Sequence, residues 1–430
     1  MSLRSAVVVV VDRLGAGFLG PYGNTWLETP ALNSLASQSL LVETVLADSP
    51  HLADIYRSYW TGRHSLAGGD AAWTASGVVS GQGFLQSDQS SARNDSHPLS
   101  LATALTQRNI ATVLVTDEPQ VAEHPLAAAF EQIVRVPSAT VIRCADDPSD
   151  TGMARLFAAA AEALAGLNQS YLLWIHCRGM EGAWDAPLSY REQFRDEEDP
   201  RPGDFAAPPQ IRIDQSFDPD ELLKLQHAYA GQVSLLDEQL AAVFETLQQR
   251  LEEELLLAAT SPRGYPLGEH GRVGSCDHAL YAELLQVPLL VRFPHQQGAL
   301  VRSAEILQPA DLGMAVAEHF GLPLEVPSAL YQFVRHEDHP PREVAVAAGD
   351  NERAIRTPAW FLRESHGSDQ RRLELFAKPD DRWEVNDVSS RCQHELELLV
   401  AALDRFQGSL RQPAIAPLAP LPEILRDTWR

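Results

Sequence analysis

The sequence predicts an α/β protein: a mostly parallel central sheet flanked by helices, followed by a small C-terminal α+β subdomain. Three observations lead there. Short, near-continuous apolar runs at 6–11, 111–116, 171–176, 255–260 and 287–293 have the texture of strands covered on both faces. Segments with apolar residues three or four apart lie between them. After Pro323 the texture shifts to shorter strand-like pieces and one more helix.

The elements follow in order. The run 6–11 is ended by Asp12, too early for the apolar core of a signal peptide, and reads as a buried first strand. Thr29-Pro30 reads as an N-cap with proline at the first helical position, ahead of Leu32, Leu35, Ala36 and Leu40. Asp150 or Thr151 is placed to cap a helix over 153–167. The clearest helix spans about 220–253, where Leu222, Leu225, Tyr229, Val233, Leu236, Leu240, Phe244, Leu247 and Leu251 form one stripe. Gly231 interrupts it and marks either a kink or a close contact. Two loops stand out: 68–98, rich in Gly, Ser, Asp and Gln, and 186–220, charged, Pro-rich and expected to be partly mobile. Strand-like pieces at 343–348, 354–356, 360–363 and 372–376 precede a helix near 393–406. The tail 412–422 is Pro-rich and expected to wrap the surface. These textures divide the chain into 1–322 and 323–430.

Composition narrows the function classes. The chain has 430 residues, and 34 basic against 58 acidic side chains give a net charge of −24. That balance opposes a nucleic-acid partner, which needs a basic face. No apolar run approaches the roughly 18 residues needed to cross a bilayer, so no membrane partner is expected. Cys144, Cys177, Cys276 and Cys392 are scattered without a paired motif, which suits reduced thiols and a cytoplasmic location.

A series of motifs follows the predicted elements. Asp12 is succeeded by Leu14 and by Gly20-Pro-Tyr-Gly-Asn24; then come Thr29-Pro-Ala-Leu-Asn-Ser-Leu-Ala36, Ser49-Pro50 and Thr61-Gly62-Arg63. Leu235-Leu-Asp-Glu-Gln-Leu240 lies on the long helix, and Thr260-Ser261 leads to Leu267-Gly-Glu-His-Gly271. Leu280-Tyr-Ala-Glu283, Val287-Pro-Leu-Leu-Val-Arg-Phe-Pro294, Ala354-Ile-Arg-Thr-Pro-Ala-Trp360, Glu374-Leu-Phe376 and Glu384-Val-Asn-Asp387 complete it. In this order and spacing the series resembles the sulfatases of the alkaline phosphatase superfamily, over nearly the whole chain.

The resemblance implies a site with three parts: a divalent cation on oxygen ligands, a Cys or Ser converted to formylglycine within C-x-P-S-R, and Lys and His groups that stabilise charge and protonate the leaving group. Mapped onto this sequence, Asp12 holds the first metal carboxylate position and Arg13 the second. The nucleophile position falls on Leu52, with Asp54, Ile55 and Tyr56 at the Pro, Ser and Arg positions and Arg57 one place later. The segment expected to carry Lys and His begins at Asp117. Glu181 stands for another His, and Pro262 and Arg263 stand for the metal-binding Asp and His.

Leucine has no nucleophilic atom, and one carboxylate does not hold Ca²⁺ or Mg²⁺, which want six or more oxygens. No cofactor is therefore expected, with Ca²⁺ or Mg²⁺ only if the site is rescued. An arginine could take the cation's place beside Asp12. Two readings of Arg13, Arg57 and Arg263 stay open: convergence on a small sulfate- or phosphate-like anion, or pairing with nearby carboxylates. The leading expectation is a catalytically degenerate sulfatase homologue that binds an anion or a protein partner. The alternative is an active sulfuric- or phosphoric-ester hydrolase with a relocated nucleophile, Thr61 or Ser58 with His51. Glu269, His270 and Asp237 are expected to be structural, and His176 a satisfied buried histidine.

Overall fold

The computed structural model describes residues 3–67, 100–138, 140–250, 252–367, 370–410 and 420–427. The whole predicted loop 68–98 and residues 412–419 of the predicted tail 412–422 lie outside the described residues.

Fourteen strands are described: β1 Ser5–Val11, β2 Leu40–Leu46, β3 Ala111–Thr116, β4 Gln132–Arg135, β5 Tyr171–Cys177, β6 Ile211–Arg212, β7 Leu255–Thr260, β8 Arg272–Val273, β9 Gln286–Arg292, β10 Val301–Leu307, β11 Ala345–Ala348, β12 Glu352–Arg356, β13 Trp360–His366 and β14 Arg371–Ala377. The central sheet has eight strands in the order β10-β2-β9-β7-β1-β5-β3-β4. Only β9 runs against its neighbours, β2 and β7. The other pairs are parallel; of the five predicted runs, β1, β3, β5 and β7 are parallel and β9 is not. β1, β3, β5 and β7 are buried along their whole length, because helices cover both faces.

The helix Pro219–Gln249 lies across one face and buries Leu225, Tyr229, Val233, Leu236, Leu240, Phe244 and Leu247. Gly231 is a close contact: a Cβ there would meet the Tyr190 backbone at 3.0 Å. Asp237, on the same helix, accepts from the backbone N–H groups of Ala31 and Leu32 at 2.9 Å each. It therefore caps the helix Pro30–Ser37, whereas the Thr29 hydroxyl, the expected cap, accepts from Gly20 N at 3.0 Å. Thr151 caps Gly152–Ala165 by accepting from Ala154 N at 3.2 Å.

On the other face, the helix Leu52–Thr61 buries Leu52, Ile55, Tyr56, Tyr59 and Trp60, the spacing of one helical side. The segment expected to be partly mobile is organised by one buried arginine. Arg191 donates to Trp184 O at 2.7 Å, Phe205 O at 2.6 Å and Gly203 O at 2.5 Å, and lies over the Phe205 ring at 4.5 Å.

The strands β11–β14 form an antiparallel sheet. Alternation splits its two faces. Ala345, Ala347, Ala354, Phe361 and Phe376 join the core that includes the helix Leu52–Thr61. Val346, Ile355, Leu362 and Leu375 pack with Leu396, Leu399 and Leu403 of the helix Gln393–Leu410. Among the described residues, no helix is long and apolar enough to cross a membrane.

Candidate functional site

β7, β1, β5 and β3 are adjacent and parallel, so their C-terminal ends open on one crevice. Register does the positioning: Val10 pairs with Thr260, Val11 with Cys177, and His176 with Thr116. The residues just after those pairs are Asp12, Ser261 to Arg263, Arg178 to Glu181, and Asp117. These are the positions singled out by the motifs.

Asp12 is 1% exposed. Arg263 holds it in a two-pronged pair: Nε donates to Oδ1 at 3.0 Å and Nη2 to Oδ2 at 2.8 Å. The remaining Nη1 donates to Pro50 O at 3.1 Å. One guanidinium thus joins the metal-carboxylate position to the turn before Leu52. Burial works to raise the Asp12 carboxyl, but the charges of Arg263 and then Arg13 outweigh it and hold the group below its ordinary value. Leu52 opens its helix, is 3% exposed and belongs to the apolar core.

Arg13 is also 1% exposed and adopts a left-handed backbone, φ 64°. That conformation turns its side chain to Glu181, with Nε donating to Oε2 at 2.9 Å, while Nη1 donates to Gly264 O at 3.3 Å. Glu181 also accepts from Ser275 Oγ at 2.8 Å. Gly179 allows this fold-back: it has φ 50°, and a Cβ would lie 2.4 Å from Asp12 O. Met180 N then donates to that same carbonyl at 3.1 Å.

The structure brings Asp12, Arg13, Arg263 and Glu181 together and does not bring Arg57. Arg57 is exposed and donates to Ala67 O at 2.9 Å and Ser65 O at 3.4 Å. It sits on the outward side of a helix whose other side carries Tyr56 and Trp60 into the core. Convergence of three arginines is therefore corrected to two, each paired with a carboxylate. Pro262 lies in the buried turn between Ser261 and Arg263; Ser261 Oγ accepts from Leu14 N at 3.2 Å and donates to Arg263 O at 2.7 Å. Asp117 accepts from Arg178 N at 2.8 Å, and burial pushes its carboxyl up to about 6.

The relocated-nucleophile arrangement is not formed. Ser58 Oγ donates to Asp48 Oδ2 at 2.5 Å and Thr61 Oγ1 to Arg57 O at 2.7 Å. His51 instead points to Asp350, 3.3 Å away, and to the edge of His278. His176 is buried, with Nδ1 2.5 Å from Tyr56 Oη; burial lowers it to about 4. Its Nε2 finds no hydrogen-bond partner among the described residues, so it is only half satisfied. His270 is structural: it stacks on Tyr281 at 3.7 Å, with Nδ1 2.9 Å from Glu283 and Nε2 3.0 Å from Glu384 O. Glu269 turns away from it to accept from Leu267 N. Tyr281 in turn donates to Glu374 of β14 at 3.0 Å, tying two of the motifs together.

A family model described as Sulfatase matches residues 4–322. The chain belongs to the sulfatase family. Steryl-sulfatase of Homo sapiens is 35% identical over 77 residues, which are 18% of this chain and 13% of that protein. Steryl-sulfatase of Mus musculus is 28% identical over 173 residues, 38% of this chain and 27% of the relative. The chain thus spans only a minor part of the curated relatives it matches. Among solved structures, a protein in complex with its substrate D-glucosamine-2-N,6-O-disulfate superposes with a TM-score of 0.72 at 14% identity, covering 95% of this chain and 98% of that one. The phosphonate monoester hydrolase of Agrobacterium radiobacter gives 0.71 at 15% identity, covering 95% of each. At such identities these two likenesses establish the fold alone.

The sequence pointed to Asp12, Arg13 and Arg263. It missed Glu181 as the partner of Arg13, because Glu181 was read only as a replacement for a lost histidine. Ser275 carries no motif signal and enters through the fold; Pro50 lies in a motif, but its carbonyl as a partner of Arg263 was not readable from sequence.

Proposed function

We propose that this sulfatase-family protein has given up ester hydrolysis and binds a small sulfate- or phosphate-like anion. The observation that carries the reading is the Arg263–Asp12 pair, standing where the family resemblance places a cation. A guanidinium with both prongs on the carboxylate supplies the charge that a metal ion would supply, but offers no open coordination position to a substrate. Leu52, packed in the core, adds no nucleophile. Arg13 and Arg263 are buried and paired, so we place the anion in the cavity of about 460 Å³ whose wall carries Arg212 and Arg372; these are also paired, with Asp277 and Glu374, but each through Nη2 and with most of the guanidinium exposed. The four free cysteines fit a cytoplasmic location.

The test has two arms. Purified protein with Ca²⁺ or Mg²⁺ is assayed on aryl sulfate and aryl phosphate esters beside an Asp12→Ala/Leu52→Ala variant; equal background rates are expected, and metal-dependent turnover above the variant overturns the silent reading. Sulfate or phosphate is expected to raise Tm in a saturable way that Arg212→Ala/Arg372→Ala abolishes. A flat response removes the anion.

A further inference from the structure

His51, His278 and Asp350 meet at the edge of the crevice, and no step above uses them. Each offers one ligand atom, and these atoms all lie within 4.8 Å of one another. His51 Nε2 is 3.3 Å from Asp350 Oδ1 and is a buried nitrogen with no hydrogen-bond partner among the described residues. The two imidazoles meet edge to face, centroids 4.9 Å apart at 86°. We propose that these three residues form a site for a first-row divalent ion, Zn²⁺ foremost, at the mouth of the crevice and separate from Asp12.

The donor set argues for the ion class. Two imidazoles and one carboxylate suit zinc and its first-row neighbours; Ca²⁺ and Mg²⁺ want oxygen shells. The spacing argues for fit. Ligand bonds of about 2.0–2.1 Å in a tetrahedron put neighbouring donor atoms about 3.3 Å apart, the separation already present between His51 and Asp350. His278, which is exposed, needs only to close by the remainder, since all three ligand atoms already lie within 4.8 Å of one another.

The anchoring argues for a built site. The three residues come from separate elements: the turn before the helix Leu52–Thr61, the loop after β8, and the turn between β11 and β12. The His51 backbone is fixed by its N–H, which donates to Ser49 Oγ at 3.1 Å. His278 follows Asp277, which is clamped by Arg272 at 2.7 Å and Arg212 at 2.8 Å. Asp350 follows Gly349, whose N–H donates to Glu352 O at 2.8 Å.

Three protein ligands leave the metal an open position. His278 and Asp350 line the same cavity of about 460 Å³ as Arg212 and Arg372, so an oxyanion there could reach the metal. This site goes beyond the binding reading above and stands without it, since its ligands take no part in the Asp12 pair.

The full chain, stripped of metal, is titrated with Zn²⁺ against a chromophoric chelator near pH 7.5, and separately with Co²⁺ while its visible absorption is read. One equivalent of zinc and the visible bands of a low-coordinate cobalt site are expected. Asp350→Asn and His278→Ala, both at exposed positions, should each weaken zinc about tenfold or more. Circular dichroism and Tm of the metal-free variants should match the parent. No bound equivalent, or equal affinity in the parent and both variants, overturns the proposal. Neither variant touches Arg263, so failure here and failure of the silent reading are told apart.

Discussion

Replacing Arg263 by alanine strips Asp12, 1% exposed in the parent, of both of its guanidinium contacts. Arg13 does not fill in, because its Nε is held by Glu181 at 2.9 Å. Removing one member of a buried ion pair costs about 3–5 kcal/mol, chiefly because the other charge stays desolvated. The unfolding entropy of a 430-residue chain near its midpoint is about 0.9 kcal/mol/K, so Tm should fall by about 4 °C. The same mechanism predicts a strong coupling. Asp12→Leu/Arg263→Met removes both charges and keeps the space filled, so it should cost less than Arg263→Ala alone. Urea denaturation followed by tryptophan fluorescence is a suitable assay, since the fully buried Trp174 sits on β5 beside β1. Losses below about 1 kcal/mol for Arg263→Ala, or a double variant as costly as the sum of the two singles, would refute the reasoning.

Two further predictions follow from single side chains. Burial raises Asp117 to about 6, so the folded state holds its proton more tightly than the unfolded chain does; this group's destabilising effect is absent below about pH 4, grows as pH rises, and is complete above about pH 6. Asp117→Asn should therefore stabilise at pH 7 by about 2 kcal/mol, allowing for partial exposure, and flatten the stability-versus-pH curve between those limits, as read from urea midpoints. Asp237→Ala removes the cap from two backbone N–H groups of the helix Pro30–Ser37 and should cost about 1 kcal/mol in the same assay, with no change in zinc binding.

The fold was legible where one sequence period decided it. Runs such as 6–11 and 171–176 are apolar on both faces because helices cover both, and their short length and β-branched or aromatic residues favour a strand over a buried helix. β2 was not legible, because Leu40 also continues the apolar spacing of the preceding helix. β4 is an edge strand with only its middle partly buried, and β10 is broken by a register shift between Ser303 and Ile306. Both lack the continuous apolar signal.

The candidate site was legible to the extent that it lies at strand ends. Parallel register carries Asp12 and Arg263 to one place once β1 and β7 are known to be neighbours. Arg57 misled, because position along a motif does not reveal which side of a helix a residue occupies. His51, His278 and Asp350 could not be grouped from sequence, since three loops from distant parts of the chain meet only after the C-terminal sheet docks.

The replacement of a cation by Arg263 can be checked in a crystal structure of the purified chain grown with excess Ca²⁺. The Arg263 guanidinium should lie within hydrogen-bonding distance of both Asp12 carboxylate oxygens, as it does here. Calcium bridging Asp12 to other oxygen donors, with Arg263 displaced, would contradict it.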